Sequence, residues 1–135
     1  GLESEFMASM ISAPYKNAGN DLVLSLVPKN VRRVLDVGCG AGDNARRLKS
    51  ERPDIKIVGI THNDEEAQLA APFFVSVVIG DVENISIRDL DGPFDLFIFS
   101  HVLEHLRDPV AVLKRLLPLL EPGGYVLVAV PNTLE

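Results

Sequence analysis

The segment Val34-Leu35-Asp36-Val37-Gly38-Cys39-Gly40-Ala41-Gly42-Asp43 joins a short apolar stretch to an acidic side chain and three alternating glycines. Residues 34–37 can form a buried strand, and the glycines permit positive φ and close approach of the backbone to a ligand. The dinucleotide fingerprint places its third glycine at the sixth position, where this chain has Asp43. The spacing therefore predicts a loop for a nucleotide-type cofactor and disfavours a dinucleotide.

The pattern Asp36-x-Gly38-x-Gly40-x-Gly42 resembles the first motif of the class I S-adenosylmethionine-dependent methyltransferases. Adenosylmethionine carries no phosphate, so its loop does not need a helix N-terminus aimed at a pyrophosphate. An acidic group can instead accept hydrogen bonds from the ammonium of the methionine part, directly or through water. The resemblance implies that Asp36 and residues 38–42 hold this end of the cofactor, with Cys39 as a small neutral filler. A glycine-rich turn between a strand and a helix is the structural alternative.

Two later segments carry the same resemblance. Residues 93–109 resemble the "FD…LEHL-DP" signature of one methyltransferase subgroup, and residues 119–132 resemble its "L-x-PGG…PN" end. The likeness extends from about residue 31 to residue 132. These motifs imply an enzyme of the type 11, 12 or 23 methyltransferase kind, which forms S-adenosylhomocysteine as its product.

The resemblance also implies cofactor contacts after the next three strands. Where the family usually has an acidic residue that holds both ribose hydroxyls, this chain has Thr61, which makes a weaker contact. Asn63, Asp64 or a backbone group are the alternative ribose contacts. Asp81 is expected to accept from the adenine amine beside Val82, or else to cap a turn. The predicted cofactor-binding residues are Asp36, Gly38, Cys39, Gly40, Gly42, Thr61, His62, Asp81, Val82, Ser100 and His101.

The methyl acceptor is expected to be a small molecule or a glycan-linked group with an oxygen or nitrogen nucleophile. For a hydroxyl acceptor, His101 is the candidate general base, and lining the cofactor is its alternative role. A non-catalytic domain that binds adenosylmethionine is a second hypothesis. A remote third is a zinc hydrolase, since His101, Glu104 and His105 match H-x-x-E-H. Pro109 leaves little room for the required helix, so no metal is expected.

Apolar segments alternate with helical patterns along the chain. Strands are predicted at residues 33–37, 55–60, 73–79, 96–99 and 125–130, and helices at 44–50, 63–72 and 109–120. Asn63 followed by Glu66 predicts a capping box, and Pro122-Gly123-Gly124 predicts the end of the third helix. Strands of this kind predict an α/β fold with an open, doubly wound, mostly parallel sheet, the Rossmann-like methyltransferase fold. Ligands bind such sheets at the carboxyl ends of the strands.

The family fold commonly has seven strands, so the resemblance implies that the last two are missing and the chain is truncated. The fifth strand would then be an exposed edge open to self-association. Residues 1–6 before Met7 resemble vector-encoded sequence and Leu134-Glu135 a cloning scar, as in structural-genomics expression products. A single domain is expected over residues 7–133.

Composition limits the function classes. The 135 residues, 47% hydrophobic and 24% charged, are typical of one soluble globular domain. A net charge of −6 argues against nucleic-acid binding. The single cysteine suits a reducing cytoplasm, and no apolar run approaches the roughly 18 residues of a membrane span.

Overall fold

The computed structural model describes residues 10–15, 24–100 and 102–131. These residues form a six-stranded sheet in the order β1-β6-β5-β2-β3-β4. All of the described strand pairs are parallel. The strands are β1 (Met10–Tyr15), β2 (Arg33–Val37), β3 (Lys56–Thr61), β4 (Ser76–Ile79), β5 (Phe94–Ser100) and β6 (Leu120–Pro131). The predicted parallel α/β sheet and its five strands are confirmed.

The strand β1 was not predicted, and it changes the edge of the sheet. It pairs with β6 along its whole length, from Met10 against Val126 to Tyr15 against Pro131. The prediction that the fifth strand, now β6, is an exposed edge is therefore wrong, and so is self-association through that edge. Within the described chain the edges are β1 and β4. Residues 10–15 show no clear alternation of apolar and polar side chains that would predict a strand. They form one by pairing with β6, and this contact is decided by the tertiary structure.

Among the described residues, three α-helices connect the strands: α1 (Asp43–Glu51), α2 (Asp64–Ala70) and α3 (Pro109–Leu116). Ala45 and Leu48 of α1 are buried as predicted. The predicted cap of α2 is also present, since the side chain of Asn63 accepts a 3.0 Å hydrogen bond from the backbone N–H of Glu66. At the start of α3, Asp108 accepts in the same way from the N–H of Ala111. These side chains satisfy amides that a helix N-terminus leaves unpaired.

Several predicted boundaries are wrong, including the start of the strand predicted from residue 125, which begins at Leu120. The third helix was expected to reach residue 120 but ends at Leu116, and Leu117–Leu119 form one 3₁₀ turn around Pro118, whose ring cannot continue an α-helix. The Pro122-Gly123-Gly124 run lies inside β6, at a register shift against β5. Likewise the third strand was expected from residue 73, but Ala71–Phe73 form a 3₁₀ turn and β4 begins at Ser76.

The sheet is buried on both faces, which explains why its strands are so uniformly apolar. On one face, side chains such as Val34, Ile57 and Ile98 pack with Leu48 of α1. On the other face, Phe97 and others pack with residues of α3. None of the described helices is long and apolar enough to cross a membrane.

Strand order reverses between β2 and β5, which lie side by side although β3 and β4 separate them in sequence. At such a switch point the loops at the carboxyl ends diverge to opposite faces of the sheet and leave a crevice. The glycine loop that follows β2 and the segment that follows β5 border this crevice. The fold thus brings together loops that are about 60 residues apart in the chain.

Substituting Gly42 by Ala should destabilise the fold more than the same change at Gly123. Both glycines have positive φ, 90° and 79°. A Cβ at Gly42 would lie 3.1 Å from the Cα of Ala70 and 3.1 Å from Phe74, whereas a Cβ at Gly123 meets no atom within 4 Å. We expect a loss of about 1 kcal/mol for Gly123→Ala from backbone strain, and about 2–4 kcal/mol for Gly42→Ala from strain plus overpacking.

The free energy of unfolding of both variants is measured by urea denaturation. Equal losses for the two variants would contradict the close packing of α2 against the glycine loop.

Candidate functional site

A cavity of about 620 Å³ lies at the carboxyl ends of the central strands. Its volume is within the range of small-molecule sites. Five predicted cofactor-binding residues line it together: Gly38, Thr61, His62, Asp81 and Val82. Its remaining lining residues are Val37, Ile60, Gly80, Glu83, Val102, His105 and Leu106. The fold therefore gathers residues from after β2, β3, β4 and β5 around one space.

Five other predicted residues that the structure describes do not line this cavity. Of these, Asp36, Cys39 and Ser100 are buried. Gly40 and Gly42 lie further along the same loop. His101 is outside the described residues, so its position stays a prediction.

The glycine loop begins with two hydrogen bonds to the neighbouring strand. The backbone N–H groups of Gly38 and Cys39 both donate to the carbonyl oxygen of Ile60, each at 2.9 Å. Gly38 has a φ of 76°, and an added Cβ there would lie 2.8 Å from the side chain of Val102. The start of the loop is therefore fixed between β3 and the segment after β5.

The two later glycines are in contact with helix α2 and the turn after it. An added Cβ at Gly40 would lie 2.9 Å from a carboxylate oxygen of Glu66, and one at Gly42 would approach Ala70 and Phe74. Helix packing therefore contributes to the need for glycine at Gly42, whereas at Gly40 only the flexible end of the Glu66 side chain would have to move and the positive φ of 55° favours glycine. The sequence predicted positive φ and close approach to a ligand, but nothing in the spacing shows which helix will lie against the loop.

Asp36 carries a buried carboxyl group with an unsatisfied oxygen. Its residue is 2% exposed, and its Oδ1 has no hydrogen-bond partner among the described residues. Burial raises the pKa of this carboxyl to about 7, because the interior disfavours the charged form. A positively charged hydrogen-bond donor would satisfy the oxygen and favour its ionised form.

The neighbouring Cys39 is in an unreactive environment. Burial, and secondly the negative charge of Asp36, raise the pKa of its thiol to about 12. A thiol with so high a pKa is almost entirely protonated at neutral pH and is a poor nucleophile. This agrees with the prediction that Cys39 is a neutral filler in the loop.

A buried polar pair joins α1 to the end of β5. The Asn44 side-chain amide donates to the hydroxyl of Ser100 at 3.2 Å, and both residues are buried. Asn44 was not among the predicted site residues. Its only sequence signal is its place at the second position of the helix after the glycine loop, where a side chain can reach the end of the adjacent strand.

After β3, the polar side chains stabilise the turn into α2. The hydroxyl of Thr61 accepts a 3.3 Å hydrogen bond from the backbone N–H of Asn63, and the side chain of Asn63 caps α2. His62 is exposed and borders the cavity, while Asp64 borders a separate surface groove instead. The two residues that line the cavity here are therefore Thr61 and His62.

After β4, Asp81 caps a turn. Its two carboxylate oxygens accept hydrogen bonds of 2.9 Å from the backbone N–H of Glu83 and from the side-chain amide of Asn84. This is the alternative role given above for Asp81. Each carboxylate oxygen has a second lone pair, so the contact with an adenine amine stays a prediction.

The zinc hypothesis requires His101 and His105 one turn apart on a helix. Residues Leu103–His105 form a single 3₁₀ turn, and His105 lies 3.8 Å from the carboxylate of the adjacent Glu104. The described residues contain no group of three His, Cys, Asp or Glu side chains arranged to hold a metal. The helix on which the zinc pattern depends is thus replaced by a tight turn.

The sequence matches a family described as "Methyltransferase domain" over residues 11–134. It is 32% identical over 108 residues to the trans-aconitate 2-methyltransferase of Deinococcus radiodurans, covering 79% of this chain and 41% of that protein. It is 31% identical over 137 residues to the ubiquinone biosynthesis O-methyltransferase of Paracidovorax citrulli, covering 97% of this chain and 56% of that protein. The chain thus spans between 41% and 56% of the length of these two relatives.

Solved structures show the same fold. One is the O-methyltransferase from a trans-AT PKS multienzyme of Brevibacillus brevis in complex with S-adenosyl-L-homocysteine, with a TM-score of 0.68 and 22% identity, covering 78% of this chain and 38% of that one. Another is the plantazolicin methyltransferase BpumL in complex with SAH, with a TM-score of 0.58 and 20% identity, covering 89% of this chain and 42% of that one.

The raised pKa of Asp36 should make the free energy of unfolding fall as the pH rises from about 4 to about 7. In this range the folded protein holds a proton on Asp36 that the unfolded chain, with a carboxyl pKa of about 3.8, has lost. The contribution is on the order of 4 kcal/mol, at 1.36 kcal/mol for each unit of pKa. It is fully present below pH 4 and absent above pH 7.

Asp36→Asn is the matched control, since its neutral amide cannot titrate. Urea denaturation of both proteins between pH 4 and pH 8 should show the variant gaining stability relative to the original chain as the pH rises. A constant difference across this range would contradict the assignment.

Proposed function

Because the chain belongs to the class I S-adenosylmethionine-dependent methyltransferases, we propose that it forms the cofactor-binding part of an enzyme that methylates an oxygen or nitrogen nucleophile. The acceptor is a small molecule or a glycan-linked group. The observation that carries the proposal is the buried carboxyl of Asp36, whose Oδ1 has no hydrogen-bond partner among the described residues, next in the chain to Val37, which lines a cavity at the switch point of the sheet. A net charge of −6 further supports an acceptor other than nucleic acid.

The residues around the cavity fit adenosylmethionine. Asp36 offers a buried acceptor to the ammonium of the methionine part, and Gly38, which lines the cavity, lies close to Val102 because it has no side chain. Thr61 and His62 are assigned to the ribose side, and Asp81 and Val82 to the adenine side. Cys39, Gly40, Gly42 and Ser100 shape the loop and the strand end that support these contacts.

When bound, the cofactor supplies a methyl group made electrophilic by the positive sulfonium. The chain's own contribution is to orient the cofactor and keep water out of the crevice. Alignment of two reactants in this way lowers a barrier by roughly 7–11 kcal/mol. The apolar side chains of Val37, Ile60 and Val102 give part of the cavity a dry wall.

His101 is proposed as the general base for a hydroxyl acceptor. It directly follows Ser100, the last residue of β5, and so belongs to the segment that leaves the switch point. An imidazole has its ordinary pKa close to neutral pH, which suits proton removal at that pH.

A cytoplasmic location is also proposed for this chain, because its single cysteine forms no internal disulfide.

A domain that binds the cofactor without catalysing transfer is the second candidate. The hydroxyl of Thr61 is already engaged with Asn63 and replaces the family's usual acidic residue. This leaves the ribose with a weaker contact than a carboxylate provides. Turnover, rather than binding, separates the two candidates.

The chain should bind S-adenosylmethionine and S-adenosylhomocysteine more tightly at pH 8 than at pH 6. With a pKa of about 7, Asp36 is ionised in only about a tenth of the molecules at pH 6, so the apparent Kd should rise roughly tenfold. Asp36→Asn should bind weakly at both values of pH. Isothermal titration calorimetry measures these affinities.

Absence of binding by both ligands would overturn the cofactor assignment. Binding without turnover across a broad panel of oxygen and nitrogen acceptors would favour the non-catalytic candidate.

His101→Ala should lower turnover of a hydroxyl acceptor by about 10²–10⁴-fold, the usual contribution of general base catalysis. Its affinity for S-adenosylhomocysteine should stay close to that of the original chain. His62→Ala provides the contrast: because His62 is assigned to the ribose side of the cavity, its loss should weaken binding of S-adenosylhomocysteine and leave turnover at saturating cofactor unchanged. Full turnover by His101→Ala in an acceptor assay would eliminate the catalytic role.

A further inference from the structure

The loop after β4 is fastened to the segment after β5 by the side chain of Glu83. Its two carboxylate oxygens accept hydrogen bonds from the backbone N–H groups of Arg107 and Asp108, at 3.2 and 3.4 Å. The partners are 24 and 25 residues further along the chain. The contact of Glu83 with residues 107–108 is therefore not part of a local turn. It joins two segments that are distant in sequence.

Helix α3 holds the same loop from its other end. The guanidinium of Arg115 donates to the backbone carbonyl oxygens of Val82 and Glu83. Meanwhile Asp108, whose N–H contacts Glu83, also caps the start of α3 through its side chain. The first and last turns of α3 are thus both attached to residues 82–83.

The two segments joined in this way form facing walls of the cavity. Asp81, Val82 and Glu83 line it from the loop after β4, and Val102, His105 and Leu106 line it from the segment after β5. The contact of Glu83 with residues 107–108 lies just beyond Leu106. The distance between these two walls therefore depends on the contact of Glu83 with residues 107–108. That contact does not line the part of the cavity assigned to the methionine end of the cofactor.

We infer that Glu83 is a positioning residue, which holds the loop after β4 and the segment after β5 at the spacing that a bound adenosyl group requires. This inference rests on the proposed function, since the adenine side was assigned to Asp81 and Val82. Glu83 also lines the cavity, but its two carboxylate oxygens are engaged with the backbone amides of Arg107 and Asp108. Without it, the loop samples positions in which the adenine wall is displaced.

Loss of such a residue lowers affinity by reducing the fraction of molecules that are ready to bind. The apparent Kd equals the intrinsic Kd divided by that fraction. Hydrogen bonds that involve a charged group are strong enough to change such a population by a factor of about ten. The measured effect should therefore be a higher Kd in protein that is still fully folded.

The test compares Glu83→Gln with Glu121→Gln. The two changes remove the same charge, but Glu121 is exposed and lies near the beginning of β6, at the end of the sheet opposite to the cavity. Calorimetric titration of the full chain with S-adenosylhomocysteine should give a Kd about tenfold higher for Glu83→Gln and an unchanged Kd for Glu121→Gln. Urea denaturation of each protein establishes that it is folded at the titration temperature.

Hydrogen exchange provides a readout that needs no ligand. In the original chain the amides of Arg107 and Asp108 should be protected, and in Glu83→Gln their exchange should be faster while that of the amides of β2 is unchanged. Glu83→Asp, which is one methylene shorter, should resemble Glu83→Gln in both measurements. If a variant does not fold, slow exchange of the amides of residues 107 and 108 in the original chain still shows whether Glu83 holds them.

The outcomes separate the two proposals. No binding of S-adenosylhomocysteine by the original chain overturns the cofactor assignment, and with it a positioning role toward that cofactor. Binding by the original chain with an equal Kd for Glu83→Gln overturns the positioning role alone. Unprotected amides at residues 107 and 108 in the original chain also overturn it, whatever the titration shows.

Discussion

The pairing of β2 with β5 is the constraint on which the rest of the structure depends. These two strands lie side by side in the middle of the sheet, with β3 and β4 on one side and β6 and β1 on the other. The connection after β2 crosses to β3 on one side and the connection after β5 crosses to β6 on the other, so the loops at the carboxyl ends of β2 and β5 leave in opposite directions. The crevice between those loops exists because of this reversal. Because the first loop is rich in glycine, its backbone at Gly38 can lie close to Val102, and α2 can pack against its later residues.

Stability and ligand binding make opposite demands at Asp36. A buried carboxyl with an unsatisfied oxygen costs free energy in the folded chain, and the rise of its pKa to about 7 expresses that cost. A positively charged ligand group in contact with this oxygen would offset it. At the turns that border the cavity, Asn63 and Asp81 satisfy backbone amides. Among the described residues, the other buried side-chain atom without a hydrogen-bond partner is Nε of Arg115, whose guanidinium holds the loop after β4.

Much of the architecture could be predicted from local patterns. The buried Ala45 and Leu48 follow from helical spacing, and the cap of α2 follows from Asn63 and Glu66. The boundaries near prolines were less predictable: Pro118 lies in a 3₁₀ turn, and Pro122 lies within β6. Both segments adopt the conformation that β5 and the core impose on them. The strand β1 was missed for the same reason, since its pairing partner is more than 110 residues away in the chain.

The sequence by itself determined the class of the fold and the family, because apolar periodicity and the motif order are local properties of the chain. It also predicted eleven cofactor-binding residues, of which the structure places five around one cavity. Only the tertiary structure decided which residues depend on each other. It showed that Gly40 and Gly42 are close to α2, that Asn44 pairs with Ser100, and that Glu83 joins two walls of the cavity. Contacts between residues that are distant in sequence leave no spacing pattern, so they become visible only when the packing of the strands and helices is known.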